Sequence, residues 1–150
     1  MNPVEVALND LHAALSRFVA LLEQESQCLR DLQAEDLASV VADKTQHAEY
    51  INTAWNSLML ATGVKTDQAG ELDAAMAADT GLEKKWQNIK QLVQQVGRLN
   101  QGNSTLIEAQ LRRTRQALDV LQHAADRGTL YGANGLMLDN FQHLHTLDKA

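Results

Sequence analysis

The side chains with any claim to chemistry are five histidines, one cysteine and a short run of arginines. His143 and His145 stand two apart, which on a helix turns them to different faces. Two histidines at i, i+4 would suit a metal ion, and that spacing does not occur. His47-Ala48-Glu49 has no matching second half. A histidine phosphotransfer domain works from one exposed histidine on a helical scaffold. His12 or His47 could take that part, but neither has the pattern of a basic residue and a small residue a turn later. Cys28 has no cationic neighbour to draw out a thiolate, so it reads as a small apolar residue beside a helical seam. As the single cysteine it forms no disulfide within the chain. Arg112, Arg113 and Arg115 read as a solvated face, or as partners for acidic residues elsewhere. Asn103-Ser104-Thr105 matches a glycosylation sequon, which carries no meaning on a cytosolic helix. The expectation is a protein with no catalytic residue, no metal and no cofactor, one that binds other proteins.

Composition narrows the class. The chain has 150 residues, 45% of them hydrophobic but only 4% aromatic, with a single proline. Richness in Ala, Leu, Gln and acidic residues favours helix over a sandwich or barrel. The formal net charge of -6 argues against a nucleic-acid partner. Residues 1–80 hold 13 acidic and 4 basic side chains, whereas residues 81–127 hold 4 and 8. That imbalance suggests an acidic helix lying against a basic one. No secretory leader opens the chain and no apolar run reaches membrane-spanning length. A cytoplasmic location without stable membrane insertion is therefore expected.

These side chains are carried on two long heptad patterns. Leu8, Leu11, Leu15, Phe18, Leu22, Leu29 and Leu32 follow steps of three and four, interrupted only by Glu25. The register slips by one near Asp36 and resumes at Leu37, Val41, Lys44, Ala48, Ile51, Trp55 and Leu58. Pro3 suits a first helical turn, and no Gly or Pro follows from Val4 to Thr62. The pattern thus predicts one helix over 3–62, kinked near 33–36 and roughly 90 Å long. Gly63 supplies its stop. Residues 63–80 then form a tip, with a short helix over 68–78 that Asp67 can cap. Thr80 and Glu83 fit a capping box opening a second long helix over 81–127. Its seam runs Leu82, Trp86, Ile89, Val93, Val96, Asn100, Asn103, Ile107, with Gly128 as its stop. The expected fold is all-α: a long antiparallel, coiled-coil-like hairpin with a short tip helix and a C-terminal amphipathic helix, in one domain over 1–150.

If such a hairpin folds about residue 71, Lys44 falls within a turn of Asn100, and Glu25 within a turn of Arg113, Thr114 and Arg115. Lys44, Asn100 and Asn103 are then polar residues in an apolar seam, of the kind that fixes register at a cost in stability. The same seam can close between two chains, so a homo-oligomer stays open. The tail, 128–150, joins a Gly-rich hinge containing Tyr131 to a short helix with Met137, Leu138, Phe141, Leu144 and Leu147 on its apolar side. Such a helix can dock in its own groove or in that of a partner.

The ordered combination of these motifs resembles the FlgN family. Leu22-x-x-Glu25, Leu29, Asp36, Leu37, Val40 and Lys44 resemble its first helix. Leu99-Asn100-x-x-Asn103-x-x-Leu106-Ile107 is similar to its second-helix signature, although Ser104 stands where the family usually has Gly. Leu130-Tyr131-Gly132-x-x-Gly135 fits the segment that follows. The resemblance implies a cytosolic chaperone of flagellar type III secretion. Its clients would be hook-associated proteins one and three, the hook–filament junction subunits. It would keep them from premature assembly and escort them to the export gate, with the export ATPase complex as a further contact. The family's client contact maps to Met137, Leu138, Phe141, Leu144 and Leu147, and its export-gate docking tyrosine to Tyr131. The readings that compete with it are a structural coiled-coil adaptor and, less well supported by the residues, the phosphotransfer protein.

Overall fold

A computed structural model describes residues 2–65 and 69–127. The tail beyond Arg127, with Tyr131, Met137, Leu138, Phe141, Leu144 and Leu147, lies outside them, as does Asp67. Four helices follow in order: α1 (Pro3–Asp31), α2 (Ala34–Thr62), α3 (Ala69–Ala77) and α4 (Thr80–Asp126). Two units divide the chain, one through Leu106 and one from Ile107. The expected all-α class and the helical hairpin about the tip are both present, and a second reversal that the pattern did not predict is added at Leu32.

The predicted single helix over 3–62 is two helices. The Asn2 side chain accepts a hydrogen bond from the Val4 amide and Pro3 sits in the first turn, so α1 begins as the sequence suggests. It ends at Leu32, which takes the left-handed conformation (φ 56°) and donates its amide to the Cys28 carbonyl. The Gln33 amide reaches the same carbonyl at 3.1 Å, a glycine-type cap made without glycine. Gln33 gives α2 no side-chain cap, but Glu35 and Asp36 place acidic charge in its first turn, where the helix dipole favours it. The chain then reverses, and α2 packs antiparallel on α1.

Magnitudes explain why reversal wins over a continuous helix. A leucine in the left-handed region costs roughly 1–2 kcal/mol, whereas fully burying one leucine side chain contributes roughly 1.5–3 kcal/mol. Folding back covers the α1 seam as far as Leu29: Leu8, Leu11, Leu15, Phe18, Leu22 and Leu29 are all buried. Leu32, the residue that makes the turn, is 71% exposed. On α2 the covered face includes Val40, Ala54 and Leu58, while Val41 is exposed.

Gly63 ends α2 with φ 70°, as the sequence predicts. The tip helix α3 is also where expected, and it plugs one end of the hairpin. Leu72 and Met76 join Leu8, Leu11, Leu58, Trp86 and Ile89 in the core cluster. The start of α4 differs by one residue from the predicted capping box. Asp79, not Thr80, caps it, its carboxylate accepting from the Gly81 amide at 2.8 Å. Through Leu106, α4 runs parallel to α1. Lys85 reaches Glu5 and Asn9, and Asn103 reaches Leu22 and Glu25.

Candidate functional site

Reversal at Leu32 changes the partners of Glu25. The predicted pairing about residue 71 put Glu25 near Arg113, Thr114 and Arg115, and Lys44 near Asn100. Instead Glu25 and Lys44 meet each other across the α1–α2 hairpin. Lys44 Nζ lies 3.3 and 3.2 Å from Glu25 Oε1 and Oε2. Asn103 enters the same knot from α4, donating to Glu25 Oε1 at 2.8 Å and to the Leu22 carbonyl at 3.0 Å. Glu25 and Asn103 are 4% and 3% exposed. A carboxylate that deep is tolerated only with charge and hydrogen-bond partners, and here each helix of the unit's long trio supplies part of the knot. Asn100, half-buried one turn earlier, stands outside it.

A second cluster sits at the tip, and the sequence reading did not single it out. Trp55 of α2 and Trp86 of α4 stack with centroids 6.5 Å apart at 27°. The Trp86 indole N–H donates to Asp73 Oδ1 at 2.7 Å, and Lys90 Nζ lies 2.8 Å from the same oxygen. The hydrogen bond from Lys90 first, then that from Trp86, hold the Asp73 carboxyl below its ordinary range against a weaker opposing effect of desolvation. The signal available in the sequence was the tryptophan itself, since a buried indole N–H needs an acceptor. Beside these residues a cleft of about 440 Å³ is lined by Leu15, Ile51, Trp55, Trp86 and Val93.

His143 and His145 lie outside the described residues; the remaining candidates within them are ordinary surface or core groups. His47 Nδ1 lies 2.9 Å from the Asp43 carbonyl and its ring meets Tyr50 edge-on. Cys28 is buried. Among the described residues no group of three His, Cys, Asp or Glu side chains could hold a metal ion, and no helix is long and apolar enough to cross a membrane.

In the second unit, the described part of α4 presents apolar side chains to solvent. Ile107, Leu111, Leu118 and Leu121 are 43%, 52%, 51% and 39% exposed. Their spacing, with Thr114 between, is the a/d spacing of a helix-packing seam. Arg112, Arg113 and Arg115 are exposed on the same stretch.

Known proteins resemble the chain over most of its length. The family described as FlgN protein matches residues 1–138. The Flagella synthesis protein FlgN of Escherichia coli strain K12 is 32% identical over 130 residues, covering 81% of this chain and 90% of that protein. The protein of the same name from Salmonella typhimurium is 32% identical over 137 residues, covering 90% and 85%. No solved structure matches the chain. The chain belongs to the FlgN family, and that membership supports a role in flagella synthesis.

Proposed function

We propose that this protein is a cytoplasmic flagellar export chaperone without enzymatic activity. It binds the hook-associated junction proteins before export, prevents their premature assembly and delivers them to the type III export gate. The observation that carries this reading is the exposed seam on α4, Ile107, Leu111, Leu118 and Leu121. A heptad seam open to water is the half-site of a helix–helix interface. Junction-subunit termini that are helical and apolar on one face would complete such a seam. On this reading Met137, Leu138, Phe141, Leu144 and Leu147 add the client contact of the tail, and Tyr131 docks the export gate.

The test is capture of purified junction subunits by the full chain, by a chain ending at Arg127, and by the Phe141→Asp, Leu144→Asp variant. One-to-one capture by the full chain, lost in both altered forms, is expected. Undiminished capture by the double variant removes the tail from the client site. Retention in the finished flagellum instead of release would mark a structural adaptor.

A further inference from the structure

We infer that Glu25, Lys44 and Asn103 form a register lock, which holds α4 at a single alignment along the α1–α2 hairpin without a net gain in stability. The apolar contacts around the knot do not specify that alignment. On α4 between the tip and the knot, Ile89, Val93 and Val96 recur in steps of three and four. The α1 seam, Leu8, Leu11, Leu15, Phe18 and Leu22, has the same steps. A helix displaced along such a partner by one turn or one heptad sets apolar side chains against apolar side chains again. Dispersion and hydrophobic burial therefore discriminate weakly between the alignments.

The polar trio discriminates strongly. At the observed alignment one Asn103 amide nitrogen lies within hydrogen-bond reach of both the Leu22 carbonyl and Glu25 Oε1. Lys44 covers both carboxylate oxygens from α2. No buried side-chain nitrogen or oxygen among the described residues lacks a partner. Asn103 is the trio's single member on α4, so displacing α4 withdraws that donor from Glu25 and buries an amide among leucines. A heptad slide in one direction brings Val96 to the carboxylate and a one-turn slide in the other brings Leu106, neither of which can donate. A one-turn slide that brings Asn100 there still leaves Asn103 buried away from its two acceptors. Buried ionic groups seldom stabilise relative to apolar residues of similar volume, and their best attested use is to fix alignment.

The experiment traps alignments with cysteine pairs in a Cys28→Ser background. Glu5→Cys with Lys85→Cys, bridged by a short bis-maleimide that replaces the length of the two side chains, reports the observed alignment, since Lys85 Nζ lies 2.7 Å from Glu5 Oε1. Glu5→Cys with Ala78→Cys, or with Asn88→Cys, reports α4 displaced so that Val96 or Leu106 stands opposite Glu25. In the locked chain only the first pair should cross-link efficiently. In the chain carrying Glu25→Leu, Lys44→Leu and Asn103→Leu, the first pair's yield should fall at least twofold and a displaced pair should appear. The same chain without the added cysteines should unfold at an equal or higher urea concentration. Asn103→Leu alone should also release a displaced pair. A lower urea midpoint or failure of the apolar variant to fold would show the trio to be a net stabiliser and overturn the inference. Retention of the single native pair in the Asn103→Leu chain would place the alignment signal elsewhere and overturn it equally.

Discussion

Asn103 Nδ2 lies 2.8 Å from Glu25 Oε1, joining residues 78 positions apart. Lys44 completes the contact from a third helix. The heptad seam of α1 thus contains a carboxylate whose counter-charge and hydrogen-bond donor both come from elsewhere in the chain.

Lys44→Ala should destabilise the protein. It strips the charge partner from a carboxylate that is 4% exposed. Breaking a fully buried pair costs about 3–5 kcal/mol. The Lys44 side chain is 27% exposed, so water softens the loss and about 1–3 kcal/mol is expected. Urea unfolding measures it; a change below about 0.5 kcal/mol would mean the pair contributes as an ordinary surface ion pair.

Leu32→Gly should stabilise. Leu32 holds φ 56° and is 71% exposed. Glycine removes the left-handed penalty and sacrifices little burial, partly offset by the greater freedom of the unfolded chain. A gain of roughly 0.5–1 kcal/mol is expected from chemical denaturation. A loss would show that the leucine side chain itself holds the turn.

Gly97→Ala and Gly102→Ala should each raise the melting temperature. Both glycines lie inside α4, and a Cβ built at either meets nothing within 4 Å. Each replacement should add roughly 0.5–1 kcal/mol through helix propensity alone. Thermal unfolding followed by circular dichroism reads the shift, and an unchanged or lower midpoint in either variant contradicts the open surroundings.

Asp73 ties part of the stability to pH. Its folded-state pKa is lowered by the Lys90 and Trp86 hydrogen bonds. The unfolded chain therefore takes up the proton first as pH falls. The contribution is present above the unfolded value of about 3.9 and is lost as pH falls through the lower folded value. Asp73→Asn keeps an acceptor for the Trp86 indole but removes the charge. The variant should show a shallower loss of stability on the acid side, measured by urea unfolding between pH 5 and pH 2. An identical acid limb would show that the ion pair is silent.

What the sequence determined by itself is the set of helical segments and their apolar faces. Leu8 to Leu29 at steps of three and four read directly as a buried stripe, Gly63 as a stop, and Leu72 with Met76 as a tip helix. These follow from side-chain spacing and local backbone preference, which act over a few residues. Tertiary structure decided the reversal at Leu32, where no glycine or proline marks a turn. A single left-handed leucine is a small local cost, recovered only when two distant stripes meet, and neither stripe records which partner it will choose. The added turn at residue 32 then reassigned the partners of Glu25 from the Arg113–Arg115 stretch to Lys44 and Asn103. The polar residues of the seam were legible as interruptions one at a time. Their convergence was not, because hydrogen bonds across 19 and 78 residues depend on where the chain folds back.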